Sequence, residues 1–253
     1  MANPFFDETL HFTSLPDYRN HSLRMSNLEV GAMSLQMSFF IVDHYKRTTT
    51  LYSHNPELMD LFGAMGVKPL SNEFIERFFS TNNDNTFNTQ AIETVNAIFK
   101  RDILGNNNRT YCLSFNLPIT LENNTVKMLK FKVMPYKFTN TSEEGIPWLI
   151  YYDVKKTDTK QPGCFKLIDI NNSEEYPVFI TEDSACDIKY ELLSKSDIEI
   201  IQLSSDGLTE PEIAEQIDTN MTNMKYLKTS LLLRLNAKSI SHAIAKVKKQ
   251  GFI

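Results

Sequence analysis

The stretch from Leu193 to Ile253 leaves the chain the least freedom, and its centre is Gly207-Leu208-Thr209-Glu210-Pro211-Glu212-Ile213-Ala214-Glu215-Gln216-Ile217. A helix-sized apolar segment, a glycine, a capped second segment, a tight polar turn and a third, basic segment follow one another with almost no slack. Such spacing predicts a helix-turn-helix. Ser194 opens the first helix with Asp197 as its capping-box partner, and Ile198, Ile201, Ile200 and Leu203 point inward. Gly207 supplies a left-handed C-terminal cap that glycine adopts cheaply. Thr209-x-x-Glu212 is a second capping box, with Pro211 in the first turn and Ile213, Ala214 and Ile217 as the buried stripe.

The turn Asp218-Thr219-Asn220 is short, and Asn220 caps a third helix whose stripe is Met224, Leu227, Leu231 and Leu235. Small Ala214 lets the second and third helices approach closely. A fourth helix is expected from Ser239 or Ser241 through Ala243, Ile244 and Val247 to Gly251-Phe252-Ile253. The face left outside on the third helix fits a DNA major groove. The expected DNA contacts are Thr222, Asn223, Lys225, Tyr226, Lys228, Thr229 and Lys238.

Charge supports that face. The net charge of -5 would argue against nucleic acid if it were evenly mixed. From Ser194 to Asn220, however, Asp197, Glu199, Asp206, Glu210, Glu212, Glu215 and Asp218 stand against Lys195 alone. From Met221 onward Lys225, Lys228, Arg234, Lys238, Lys246, Lys248 and Lys249 meet no acid at all. The switch predicts a surface built to meet phosphate, and the acids of Gly207 to Ile217 are expected to face away from DNA.

At 253 residues, with 42% hydrophobic and 11% aromatic residues, the chain can bury one large core or two ordinary ones. Neither a basic start followed by an apolar run nor a bilayer-length apolar segment occurs, so a cytoplasmic location without membrane contact is expected. Cys112, Cys164 and Cys186 have no CxxC spacing, and His11, His21, His44, His54 and His242 have no metal-ligand spacing. Structural thiols and ordinary histidines are expected.

The first thirty-five or so residues read as an N-terminal helical cap. Ser38 to Tyr45 and Thr49 to Ser53 then form a hairpin around Lys46-Arg47-Thr48. Asn55-Pro56 opens a short helix that Gly63 closes. Ser71 caps a second helix carrying Phe74, Ile75, Phe78 and Phe79, and a third runs through Ala91-Ile92, Val95 and Ile98-Phe99. After Gly105-Asn106-Asn107-Asn108 come three strands, Tyr111 to Ile119, Val126 to Phe138 and Trp148 to Val154. Thr157 to Gly163 is a connector. Phe165 to Ile170 and Tyr176 to Ile180 form an extra hairpin, and Thr181 to Tyr190 is a link.

Two strands, several short helices and three strands over about residues 36–156 resemble a PAS domain, with Phe39-Phe40-Ile41-Val42-Asp43 as its first strand and Asn55-Pro56-Glu57-Leu58-Met59 as its first helix. That resemblance implies sensing, dimerisation or both, and no ligand residue is carried over. Leu193 to Ile253 is similar, without gaps, to the LuxR-type (GerE-type) DNA-binding domain. The matching positions are Leu193, Glu199, Gly207-Leu208-Thr209, Glu212-Ile213-Ala214, Lys225, Leu235, Ala237 and Gly251-Phe252-Ile253. It implies a four-helix reader with a recognition helix over about Met221 to Leu235 and with Lys225 and Tyr226 directed toward DNA. Thr219, Met224, Leu227 and Thr229 depart from the family's usual residues, which bears on base contacts rather than on the fold.

The expected fold is therefore α+β. Residues 1–160 form a PAS-like antiparallel sheet with short helices and an N-terminal cap. A hairpin extension and linker follow over 161–190, and an all-α helix-turn-helix domain of the LuxR type over 191–253. The function expected is a DNA-binding transcriptional regulator rather than an enzyme. A homodimer is expected, because two half-site contacts multiply affinity, and RNA polymerase is a further partner such regulation implies. No cofactor is expected, and a PAS-like pocket with a small ligand, or with none, is left open. The alternative is a sensor or adaptor that uses the sheet for a ligand or cofactor and the helix bundle for protein contacts. A further reading is a sensor enzyme or a haem- or flavin-binding photosensor, in which Cys112 would be a flavin-reactive thiol or His44 a haem ligand, against their simpler role in packing.

Overall fold

The computed structural model describes residues 11–12, 15–63, 65–71, 73–74, 94–95, 97–98, 111–120, 125–138, 147–158, 163–181 and 189–253. The chain divides into two compact units, 1–160 and 161–253. Among the described residues no helix is long and apolar enough to cross a membrane.

In the first unit, α1 (His21–Ser34) precedes the hairpin of β1 (Ser38–Asp43) and β2 (Thr48–Ser53). Asn55 caps the turn that follows: its side chain accepts a hydrogen bond from the Glu57 N–H at 2.9 Å, ahead of a 3-10 turn (Pro56–Leu58) and the short α2 (Met59–Phe62). Gly63 then ends α2 at φ 74, where glycine carries no Cβ penalty. The strands β3 (Gly66–Pro69), β4 (Tyr111–Thr120), β5 (Val126–Phe138) and β6 (Pro147–Lys156) complete the unit. Their order is β3-β2-β1-β6-β5-β4, and each neighbouring pair in that order is antiparallel.

Every residue of β1 is buried, which its unbroken Phe39-Phe40-Ile41-Val42 run anticipates. Both faces of this strand are covered. Phe39 and Ile41 join Met25 and Ala32 of α1 in one cluster, with Phe39 stacked on Tyr52 at 4.6 Å between ring centroids. On the opposite face Phe40 meets Phe62 edge-on at 5.6 Å. Further along, the directly opposed Phe115 and Phe131 stack at 5.4 Å, a cross-strand aromatic pair that fixes the β4–β5 register. Pro135 lacks a backbone N–H, and the β5–β6 register shifts beside it.

Of the two further helices expected before β4, Ser71 does accept from the Phe74 N–H at 3.1 Å. Residues 73, 74, 94, 95, 97 and 98 are helical, and Val95 and Ile98 are buried. The remainder of those two segments lies outside the described residues, as do the loop at 105–108 and Cys186.

The second unit contains β7 (Gly163–Asp169), β8 (Glu175–Thr181) and β9 (Lys189–Leu192), then α3 (Lys195–Ser205), α4 (Glu210–Gln216), α5 (Met221–Arg234) and α6 (Ile240–Lys249). β7 and β8 form the expected hairpin, and β9 pairs antiparallel with β8 inside what reads as a link. Only the pairing reveals β9, since a four-residue strand is too short to show a period.

Phe179 of β8 is buried in the same cluster as Ile200, Ile201, Ile213, Met224, Leu231, Leu235, Ala243 and Val247, so hairpin and helices share one core. The C-terminus reinforces this junction. The Gln250 carboxamide accepts from the Ile180 N–H at 2.9 Å and donates to the Ile180 carbonyl at 2.7 Å, standing where a neighbouring strand's backbone would. Beside it the Cys164 thiol donates to the Gly251 carbonyl at 2.8 Å, from a residue at φ 49 that follows Gly163 at φ 86.

Candidate nucleic-acid interface

Local chemistry sets each helix boundary in residues 193–253. Ser194 and Asp197 form a reciprocal capping box on α3, and Thr209 and Glu212 form one on α4. Gly207 follows α3 at φ 92, and Leu208 N–H reaches back to the Leu203 carbonyl at 3.1 Å. α4 ends at Ile217; Asp218 then turns left-handed at φ 52, and Asn220 accepts from the Asn223 N–H at 2.9 Å to open α5. Three residues, Asp218 to Asn220, thus lie between the C-cap of α4 and the first residue of α5. α3 is rotated so that Ile200 and Ile201 are buried, while Ile198 is half-buried beside Glu175 and Pro177.

α5 buries Met224 and Leu231 and half-buries Leu227, with Leu235 buried at its C-cap. The opposite face carries Thr222, Lys225, Tyr226 and Thr229, all exposed, at i, i+3, i+4 and i+7. Tyr226 is 70% exposed, and Leu233 continues the same stripe at 76%. Leu233 is not among the expected contacts, although its spacing of eleven from Thr222 is the signal that puts it there.

Several of the expected contacts are engaged within the protein. Lys228 is half-buried and its ammonium meets Glu210 at 2.5 Å. That hydrogen bond, helped by the nearby charge of Lys225, holds the Glu210 carboxyl below its ordinary range. Glu210, one of the acids of Gly207 to Ile217 expected to face away from DNA, is thus paired with α5. The Asn223 carboxamide donates to Thr219 Oγ1 at 2.7 Å across the turn. Thr229 Oγ1 donates to the Lys225 carbonyl at 2.8 Å. Lys238 lies exposed in the loop between α5 and α6, where its backbone N–H donates to His242 Nδ1 at 3.2 Å.

The basic run is likewise divided. Arg234 turns inward to Asp197 at 2.5 Å and to the Leu192 carbonyl at 3.3 Å. Lys246 donates to the carbonyls of Leu235 and Asn236, both at 3.1 Å, and so satisfies the C-terminal end of α5. Lys225, Lys238 and Lys248 are exposed to solvent. The switch from acid to base along the sequence is thus partly an internal pairing pattern, in which bases late in the chain neutralise acids earlier in it.

Elsewhere, Cys112 is buried, and burial pushes its thiol up to about 11. His44 is buried at the end of the β1–β2 hairpin. Among the described residues no group of three His, Cys, Asp or Glu side chains is arranged to hold a metal ion.

No protein-family model matches the chain, and no curated protein matches its sequence. Among solved structures it is similar to a phage VqmA in complex with DPO, at 10% identity over 92% of this chain and 90% of that one, with a TM-score of 0.35. It is also similar to the VqmA dimer of Vibrio cholerae, described with the LuxR-type receptors and their DNA binding, at 14% identity and a TM-score of 0.23. That match covers 60% of this chain and 59% of the Vibrio chain, less than two thirds of its length. SdiA of Escherichia coli is similar at 11% identity over 93% of this chain and 97% of that one, with a TM-score of 0.24. Likenesses this distant carry no residue's role across to this chain.

Proposed function

We propose that this chain is a transcriptional regulator that binds duplex DNA through α5, under the control of a PAS-like unit formed by residues 1–160. The observation that carries the reading is the two-sidedness of α5. Its inner stripe is locked into the core of the helical unit, while Thr222, Lys225, Tyr226 and Thr229 stand exposed on the opposite side, one short capped turn after α4. A recognition helix needs this combination of rigid support on one face and hydrogen-bonding and apolar tips on the other. Lys225 and Lys238 would contact phosphates, and Lys228 would join them once released from Glu210.

The sheet order β3-β2-β1-β6-β5-β4, with helical turns between the first strands and the last three, supports the PAS-like reading of the N-terminal unit. In this reading that unit senses a small ligand, pairs two copies of the chain, or does both, and two copies would present two α5 helices to adjacent half-sites.

Binding of the full-length protein to duplex DNA, measured against salt concentration, tests the function. Affinity should fall steeply with salt, and Lys225→Ala should weaken it and reduce the salt slope by about 1. Absence of binding even at low salt, or a Lys225→Ala protein that binds unchanged, would count decisively against it.

A further inference from the structure

Resting on the DNA-binding reading, we infer that α5 reads thymine methyl groups, so that the preferred duplex is thymine-rich where Thr222, Tyr226 and Thr229 enter the groove. The exposed face has no outward arginine, and beside Lys225 it presents mainly methyl and ring surface, with the Thr229 hydroxyl hydrogen turned to the Lys225 carbonyl. Guanine is usually read by a bidentate arginine or by lysine, and adenine by the carboxamide of asparagine or glutamine. The one arginine of α5, Arg234, is turned inward to Asp197. Asn223, the one residue of α5 with a carboxamide, has one N–H of its Nδ2 turned to Thr219 Oγ1 at 2.7 Å, which holds the carboxamide toward the turn before α5. Lys228 is held by Glu210 at 2.5 Å. Lys225 is left as the exposed cation of the face.

What the face does offer is apolar surface at the spacing of one helix side. Tyr226 is 70% exposed, and Thr222 and Thr229 flank it at i-4 and i+3. Thr229 has its hydroxyl hydrogen directed to the Lys225 carbonyl at 2.8 Å, so what it presents outward as new contact is its methyl group. In the major groove the thymine C5-methyl is the apolar feature that distinguishes one base from the other three, and threonine methyl and aromatic groups are suited to contact it. A methyl removed from water at such a contact strengthens binding by about fourfold.

Selection of sites from a randomised duplex pool by the full-length protein, followed by replacement of thymine with deoxyuridine in the selected site, tests this directly. Deoxyuridine keeps the pairing and removes only the methyl. The expected result is enrichment of thymines in each half-site and a loss of about fourfold in affinity for each contacted thymine replaced. Tyr226→Ala and Thr229→Ser should each bring the ratio of thymine to uracil affinities toward one; the serine retains the hydroxyl that bonds the Lys225 carbonyl, so the helix is left intact. Equal affinity for the two duplexes overturns the inference while leaving DNA binding standing. A preference that persists undiminished in both variants also overturns it, because the preference then comes from duplex shape. No salt-dependent binding to any duplex overturns the function on which the inference rests, and with it the inference.

Discussion

Asp197 and Arg234 join the first turn of α3 to the last turn of α5 through an ion pair at 2.5 Å, with the Asp197 side chain 4% exposed and that of Arg234 32%. The carboxylate is fully engaged: Oδ2 accepts from the Ser194 N–H and hydroxyl, both at 2.8 Å, while Oδ1 takes the guanidinium. One residue thus caps its own helix and anchors the far end of the helix proposed to read DNA.

Removing one member of a buried pair strands the other's charge, at about 3–5 kcal/mol when both are buried. Partial exposure of Arg234 lowers this to roughly 2 kcal/mol for Arg234→Ala. Urea unfolding should show a lower midpoint with an unchanged slope. Because Arg234 faces inward, the salt dependence of DNA binding, measured where the variant is folded, should stay as in the parent. A normal midpoint with a weakened salt slope would reverse the assignment and return Arg234 to the phosphate-facing set.

Gly207 supplies the second prediction. Its φ of 92 belongs to the region that L side chains rarely adopt, and a Cβ added there would meet nothing within 4 Å. Strain without a clash is therefore the whole effect, about 1 kcal/mol for Gly207→Ala. Gly207→Asn should cost less, since asparagine tolerates this conformation. Thermal melting of the two variants gives the order, and an alanine variant as stable as the parent would show that α3 can end in another way.

These two positions differ in how readily sequence reveals them. Gly207, the boxes at Ser194 and Thr209 and the cap at Asn220 are local signals, completed within four residues, and each helix boundary near them is where its residues place it. β1 announces itself by composition because both its faces are covered. The pairs Asp197–Arg234 and Glu210–Lys228 span 37 and 18 residues, and no local pattern encodes them. Reading the basic run as one phosphate-facing surface misses them, because the same residue types serve either purpose until the fold decides which acids lie opposite. The exposed set of Thr222, Lys225, Tyr226 and Thr229 is legible because the 3.6-residue period that buries Met224 and Leu231 forces its complement outward. β9 is not, since its partner lies in another strand rather than in its own sequence.

Glu210 and Lys228 yield a prediction about both acid stability and binding. The Glu210 carboxyl is depressed chiefly by its hydrogen bond to Lys228, and Glu212 is depressed by the Thr209 hydroxyl and N–H. A depressed folded value means stability that is fully present above the unfolded value of ~4.3 and lost as pH falls through the lower folded values. Acid titration of unfolding should therefore show a loss beginning below about pH 4.5 that is smaller in Glu210→Gln. Solvent screens both carboxylates, so the loss is small and is read as a difference between the two titrations. The same variant frees the Lys228 ammonium. At neutral pH Glu210→Gln should bind duplex DNA more tightly and with a salt slope steeper by about 1, and a slope identical to the parent's would mean that Lys228 takes no part.

Gln250 gives the last prediction, because its carboxamide supplies Ile180 with both an acceptor and a donor. Gln250→Ala leaves a half-buried N–H and carbonyl without that partner, at about 1–3 kcal/mol in all. Gln250→Glu discriminates further. At neutral pH its carboxylate can accept from the Ile180 N–H but sets an oxygen against the Ile180 carbonyl, so it should be at least as damaging as alanine. Protonation restores an O–H donor beside the acceptor and recreates the pattern of the amide. The folded value of this introduced carboxyl is therefore raised, and the sign follows: its contribution to stability is greater below that value and is lost as pH rises through it. Relative to the parent protein at each pH, Gln250→Glu should recover stability on acidification while Gln250→Ala does not. Parallel pH profiles for the two variants would show that residue 250 holds the hairpin by packing alone and that the paired hydrogen bonds are incidental.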